Sequence, residues 1–257
     1  IKFAYSVLYI KKLVKEMTRK SITGLLVVSF FIFSAEVTGQ YWKERYIVPY
    51  VPTSYERVAQ MLTIANVNED DVVYDLGCGD GRIVITAAKE FGAGGVGIDI
   101  NPARISKSKE NAIKEGVTDN VRFIKQDLFE ADISEATVVT LYLTKLVNLK
   151  LRPKLLQELK PGTRIVSNNF DMGEWKPDQP EISNNYDSHT IYFWVVPANV
   201  SGTWEWTVSA RTEKRRYILH LEQKFQKVNG NLTAGGPNIP VTNITINGDR
   251  LQFTIAE

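Results

Sequence analysis

The sequence predicts an α/β fold: a Rossmann-like, mostly parallel sheet with helices on both faces, followed by a small antiparallel β module. Three observations predict it. Short apolar runs alternate with amphipathic segments from Tyr55 to Ser167, a glycine-rich turn (Gly77-Cys78-Gly79-Asp80-Gly81) follows the first of those runs, and after about Trp194 the pattern changes to alternation at period two.

Each element follows from local chemistry. Ser54 is placed to cap a helix through Ile64, with Val58, Met61 and Leu62 on one face. Asn66 to Asp71 is polar and turn-like. Val72 to Leu76 reads as a buried strand, and the glycine turn leads into a helix over Arg82–Phe91. Gly95 to Asp99 is a second strand. Pro102 then opens a helix that ends near Gly116. Val121 to Lys125 and Thr137 to Leu143 are the third and fourth strands, and a helix runs on to Leu159. Pro161-Gly162 breaks it before a strand over Arg164–Ser167. From Thr203 onward, stretches such as Tyr217 to Glu222 and Asn243 to Ile246 alternate at period two. The pairs Asn229-Gly230, Gly235-Gly236 and Asn247-Gly248 are expected as their hairpin turns. A module this small is marginal alone, so it should pack on the α/β domain or close into a barrel. The expected organisation is a leader over 1–40, an α/β domain over 41–197 and the β module over 198–257.

Composition narrows the function classes. The 257 residues are 44% hydrophobic and 23% charged, which is ample for a core. Net charge is +2, from 31 basic and 29 acidic residues, and that balance argues against a dedicated nucleic-acid binder. A single cysteine, Cys78, excludes an intrachain disulfide. His189 and His220 lack neighbours at metal-ligand spacing, so no metal is expected. Near the N-terminus, Met17-Thr18-Arg19-Lys20 precedes the apolar run Ile22 to Phe33, which the small residues Ser34 and Ala35 follow. This reads as a signal peptide or an uncleaved membrane anchor, and the alternative is a buried helix. The preceding lysines and arginine place the rest of the chain outside the cytoplasm, in the cell envelope, with possible membrane association through residues 21–35. Cytoplasmic supply of the cofactor derived next conflicts with that compartment. Oligomeric state is not legible.

The glycine turn sits between a strand and a helix, where glycines bring a ligand close to the main chain. Its Gly-x-Gly-x-Gly spacing, with Asp75 two places ahead, differs from the dinucleotide pattern. A pyrophosphate needs amides and no carboxylate. S-adenosylmethionine carries an ammonium and a sulfonium, and Asp75 suits that charge. Asp99 ends the second strand, where a carboxylate accepts ribose hydroxyls. Asp127 follows the third strand, in reach of an adenine amino group. Gly77, Cys78 and Gly79, with Ile100 and Asn101 after Asp99 and Leu128 after Asp127, complete the expected cofactor set. Cys78 reads as a small turn residue and not a nucleophile.

These residues resemble the class I S-adenosylmethionine-dependent methyltransferases over about residues 46–196. Pro49-Tyr50-Val51-Pro52-Thr53, Asp75 to Ile83 and Trp175-x-Pro177 resemble more narrowly the mitochondrial lysine methyltransferases of the adenine nucleotide translocase and of the ATP synthase c-subunit, with their bacterial relatives. The resemblance implies that Tyr50 to Thr53 line the cofactor and acceptor mouth, and that the acceptor is a protein. The β tail, opening at Gly202-Thr203-Trp204, falls outside that pattern and resembles small lipocalin-like β modules. The fourth strand reads Leu141-Tyr142-Leu143-Thr144 where enzymes of amide or base nitrogens carry Asn-Pro-Pro-Tyr. Tyr142, Asp171 and Trp175 are the expected catalytic residues, with Tyr50 and Phe170 in an aromatic wall and Glu174 an alternative acid. Two other functions fit the same residues: a small-molecule or lipid methyltransferase, and a non-catalytic envelope binding protein that keeps the fold.

Overall fold

The computed structural model of the protein describes residues 48–179, 182–183, 190–209 and 214–255. The expected leader, with its apolar run over 22–33, lies outside the described residues, as does His189. Among the described residues no helix is long and apolar enough to cross a membrane. The chain divides into Ile1–Pro49 and Tyr50–Glu257, and the fold described belongs to the second unit.

The first helix, α1 (Tyr55–Ile64), starts where Ser54 accepts the Arg57 N–H. Strand β1 (Val72–Leu76), helix α2 (Arg82–Phe91), β2 (Gly94–Asp99), α3 (Pro102–Glu115), β3 (Val121–Lys125), β4 (Val138–Leu141), α4 (Lys145–Glu158) and β5 (Arg164–Asn168) then alternate. Six of the ten residues of α2 are buried, from Ile83 to Ala88. That helix is covered on nearly every side, as expected of one held between a sheet and neighbouring helices. Asn101 caps α3 by accepting the Ala103 N–H, with Pro102 at the first helical position.

The strands form one sheet in the order β3-β2-β1-β4-β5-β7-β6, where β6 is Ile182–Ser183 and β7 is Thr190–Val195. Strands β1 to β5 are parallel, and β7 returns antiparallel beside β5, with Arg164 opposite Val195. The antiparallel return was not foreseen, because its turn segment carries no hairpin signature. Chain order reverses between β1 and β4, so the crevice for a ligand opens at their C-terminal ends. The glycine turn, Asp99, Asp127 and Tyr142 all lie along that edge. The fourth strand is shorter than expected and stops at Leu141, which leaves Tyr142 just beyond it.

The β module is a separate antiparallel sheet in the order β12-β11-β10-β9-β8. Its strands are β8 (Gly202–Ser209), β9 (Lys214–Lys224), β10 (Lys227–Thr233), β11 (Ile239–Asn247) and β12 (Arg250–Ile255). Leu219, Leu221, Val228, Leu232 and Ile246 are its buried centre. One expected turn is corrected. Asn229-Gly230 lies inside β10, where Gly230 pairs with Leu221 and a Cβ would come within 2.5 Å of the His220 carbonyl. The turn falls instead at Phe225–Gln226, between the paired Lys224 and Lys227. Asn-Gly here provides a close strand approach and not a reversal. The module packs on the α/β part: the Phe225 ring stacks on Trp175, and Gln226 donates to the Lys176 carbonyl at 3.0 Å.

Beneath the sheet, Asp71 is 5% exposed and ties three elements. It accepts the Thr137 hydroxyl at 2.6 Å and pairs with Arg164. Arg164 also donates to the Ala65 and Asn66 carbonyls at 2.7 and 2.9 Å. Replacing Asp71 by Ala leaves a half-buried guanidinium without its anion. That change is expected to cost about 2–4 kcal/mol of unfolding free energy, read by urea denaturation, whereas Arg164→Lys should cost less.

Candidate functional site

The glycine turn folds as it does because three of its backbone positions need positive φ: Gly77 at 91°, Gly79 at 54° and Gly81 at 80°. The Gly77 and Cys78 N–H groups both donate to the Ile98 carbonyl, at 2.8 and 2.9 Å, which anchors the turn to β2. Gly79 donates its N–H to Asp99 Oδ2 at 3.0 Å, and Asn101 donates to Asp99 Oδ1 at 2.8 Å. Asp99 is thus oriented by two amides while retaining further lone pairs for a ligand. At Gly81 a Cβ would meet Phe123 and Ser108 at 2.7 Å, so only glycine lets α2 start this close to β3.

Asp75 is 3% exposed and accepts the hydroxyl of Thr140, on the adjacent strand, at 2.9 Å. Its carboxyl is pushed up to about 7, chiefly by burial; the Thr140 bond opposes the rise, and nearby Asp99 and Asp80 add to it. Asp80 differs: its partial burial is outweighed by Arg82, which holds it below the usual carboxylate range. Arg82 clasps Asp80 through Nε at 2.9 Å and a terminal nitrogen at 2.6 Å, and donates to the Thr53 carbonyl at 2.6 Å. Neither Asp75 nor Asp99 forms an ion pair among the described residues, in contrast to Asp80. Two carboxylates without a cation, one of them buried, fit a cofactor that brings positive charge.

Each expected cofactor residue has a definite place. Gly77 is exposed at the mouth, and the Tyr50 ring lies over Gly79, 2.6 Å from where a Cβ would stand. The Arg104 guanidinium sits over that ring, 3.4 Å from its centroid. Thr53 is buried and reaches the site through its carbonyl. Ile100 and Asn101 follow Asp99 into the mouth; Ile100 is 54% exposed, a large apolar side chain free for an adenine face. Asp127 accepts the Phe129 N–H at 3.0 Å, which turns the chain after β3 and leaves Leu128 half-buried beside it. The Cys78 side chain points into the core and burial pushes its thiol up, so its part in the site is played by its main chain.

Of the expected catalytic residues, two come together and one does not. Tyr142 stacks on Phe170 with ring centroids 6.4 Å apart. Asp171 is next in the chain and accepts Lys145 Nζ at 3.2 Å and the Gly173 N–H at 2.8 Å. These two donors outweigh its partial burial and hold its carboxyl below the usual range. Asn148 is fully buried and fixes the loop by donating to the Phe170 carbonyl at 2.9 Å. Trp175 is not in the aromatic wall. It is 0% exposed, packed between Trp194 and Phe225, and a side chain so enclosed touches no acceptor. Glu174 faces Lys224 of the β module at 3.2 Å. The sequence reading missed the roles of Arg82, Arg104 and Thr140. The adjacent Asp80-Gly81-Arg82 was a usable signal for the first, but nothing local marks the other two. Among the described residues no His, Cys, Asp or Glu cluster is able to hold a metal ion.

With this geometry in place, comparison with known proteins is informative. The model of the ANTKMT methyltransferase domain matches residues 75–179. A protein-lysine N-methyltransferase of Saccharolobus islandicus is 51% identical over 151 residues, 58% of this chain and 94% of that protein. The adenine nucleotide translocase lysine N-methyltransferase of Mus musculus is 32% identical over 130 residues, 51% of this chain and 56% of that protein. A crystal structure described as an RNA methyltransferase from Salinibacter ruber, in complex with S-adenosyl-L-homocysteine, is 54% identical. It has a TM-score of 0.56 and covers 58% of this chain and 96% of that one.

The raised Asp75 carboxyl sets a pH dependence. In the ligand-free fold Asp75 keeps its proton across the window from the ordinary carboxylate range to about pH 7. Its contribution to stability is therefore full at acid pH and declines as pH rises through that window. A cationic ligand favours the ionised form. Affinity for S-adenosylmethionine should then rise with pH, at most roughly tenfold per unit below pH 7, and level off above it. Calorimetry over pH 5.5–8.5 should show this rise, and Asp75→Asn should flatten it while weakening binding. A slope unchanged in Asp75→Asn would assign the titration to another group.

Proposed function

We propose a lysine amine of a protein as the methyl acceptor, from the premise that this chain belongs to the S-adenosylmethionine-dependent methyltransferase family of the ANTKMT type. The observation that carries the proposal is the pairing of an aromatic wall with an ionised acid at the open end of β4 and β5. The names of the Saccharolobus and mouse relatives agree with it.

S-adenosylmethionine, when bound, supplies an electrophilic methyl on a sulfonium. The chain's own residues bind, align and exclude water. Asp75, Asp99 and Asp127 with Gly77, Gly79, Ile100, Asn101 and Leu128 are proposed to hold the cofactor, and Tyr50 and Thr53 to close over it. Proximity and in-line alignment then provide most of the acceleration. A free lysine, with a pKa of about 10.4, must lose a proton before it attacks. The Tyr142–Phe170 wall disfavours the ammonium form by desolvation. Asp171 is a poor proton acceptor, because Gly173 and Lys145 stabilise its charge. Its role is to orient the incoming amine in place of Lys145, and the proton passes to water.

A second reading is an RNA acceptor, favoured by the description of the Salinibacter structure. The near-neutral chain, at +2, counts against it. Incubating purified protein with labelled S-adenosylmethionine, a total protein extract and total RNA separates the two. Label recovered as methyl-lysine after acid hydrolysis is the expected result, and label confined to RNA would overturn the proposal. We also propose, from the sequence alone, that residues 21–35 bring the enzyme to a membrane in the cell envelope. Fractionation and sequencing of the mature N-terminus test this; full-length chain confined to the soluble fraction would refute it.

For the site itself, Tyr142→Ala and Asp171→Ala should each raise acceptor KM roughly tenfold, the size of a lost packed or charged contact, with the Kd for S-adenosylhomocysteine within about twofold of the parent. Equal loss of cofactor affinity would move both residues into the cofactor site.

A further inference from the structure

We infer that the Phe225–Gln226 turn of the β module is a positioning element of the acceptor site, holding the loop from Phe170 to Lys176 in place. The inference rests on the reading that this loop carries the acceptor-facing Phe170 and Asp171.

The turn has an unusual residue at its tip. Phe225 has φ 58°, a conformation in which glycine or asparagine is favoured, at the first position of a two-residue hairpin turn. A bulky residue persists there when its surroundings hold it. Its ring stacks on Trp175, centroids 6.0 Å apart and planes 14° apart. The Arg152 guanidinium lies 5.2 Å from the same ring and donates to the Met172 carbonyl at 2.8 Å. The neighbours of Phe225 extend the grip: Gln226 donates to the Lys176 carbonyl at 3.0 Å, and Lys224 pairs with Glu174 at 3.2 Å. Gln223 locks the turn from behind by donating to the Phe225 carbonyl at 2.8 Å. Contacts to Met172, Glu174, Trp175 and Lys176 thus come from one turn or through its ring. All lie within five residues of Asp171.

This support has no counterpart in the Saccharolobus relative. The similarity to the Saccharolobus protein takes up 94% of that protein in 151 residues, which leaves no stretch long enough to match the five strands. None of these contacts touches the glycine turn. The module acts on the acceptor side and leaves the cofactor side alone.

The test uses the full-length protein with Phe225→Ala, Phe225→Tyr and the double change Lys224→Ala/Gln226→Ala. Amide hydrogen exchange of residues 170–176, S-adenosylhomocysteine affinity by calorimetry, and acceptor KM and kcat are measured for each. Phe225→Ala should speed exchange of the 170–176 amides at least tenfold and raise acceptor KM about tenfold. Cofactor affinity should stay within twofold, and exchange at Gly77 to Gly81 should not change. Phe225→Tyr keeps the ring and should restore both readouts. The double variant leaves the stack intact and decides the matter if Phe225→Ala fails to fold; it should show a smaller shift in the same direction. Unchanged exchange at 170–176 in both Phe225→Ala and the double variant would overturn the inference. So would a loss of cofactor affinity equal to the rise in KM, since that marks a purely structural role. A parent protein that binds S-adenosylhomocysteine but methylates no lysine would refute the acceptor proposal instead, and the exchange result would still decide the positioning.

Discussion

A carboxylate buried at the end of a parallel strand is unfavourable unless something compensates its charge, and Asp75 has one hydroxyl, from Thr140, at 2.9 Å. The rest of the site is arranged around that imbalance. Thr140 is itself fully buried and comes from β4, the neighbour that β1 gains where the strand order reverses. The Gly77 and Cys78 amides that follow Asp75 are taken up by the Ile98 carbonyl, so they do not neutralise it. Asp99, half-buried across the turn, adds a second negative charge. A site built this way has little use for phosphate and a strong use for a cation. The same feature that destabilises the free fold favours the bound one.

The second constraint is mechanical. The described residues before α1, 48–54, have no secondary structure, yet the Tyr50 ring is held against Gly79. Arg82 and Arg104 do this from two sides. Arg82 spans Asp80 and the Thr53 carbonyl and places its guanidinium 5.1 Å from the Tyr55 ring, while Arg104 caps the Tyr50 ring. Both arginines stand at or near the first turn of a helix that packs on the sheet, α2 and α3 respectively. The Tyr50 ring at the glycine turn is therefore held by rigid elements, and Asp80, already neutralised by Arg82, adds little to the charge that Asp75 and Asp99 present.

Much of this was legible in the sequence, for identifiable reasons. Gly-x-Gly-x-Gly between an apolar strand and a helix admits few conformations, and the acids at 75, 99 and 127 fall at successive strand ends, so fold and cofactor followed together. Trp175 was misread because an aromatic two residues before a proline looks the same whether it faces solvent, a ligand or a second domain. Only the packing of Phe225 and Trp194 against it tells them apart. Asn229-Gly230 misled for a related reason: the pair permits a turn, but the period-two pattern of Tyr217 to Leu221 and of Val228 to Leu232 continues through it, and pairing across the sheet decided the register. Long-range partners such as Thr140 for Asp75, 65 residues apart, leave no local trace.

The position of the β module gives these observations a direction. In an open α/β sheet ligands sit at the strand ends, and here the glycine turn and Asp99 stand at the ends of β1 and β2. Beyond β5 the described part of the segment contains no helix, and Asn169 and Gly173 in it both have φ 68°. Such a loop has fewer backbone constraints, so what packs against it decides its shape. Here Asn148 and Ser167 fix its start through the Phe170 carbonyl, and the module's turn fixes its end. Asp171 stands between the two anchors. Methyl transfer is sensitive to alignment at the ångström level, and the module holds this end of the loop with a phenylalanine at φ 58°.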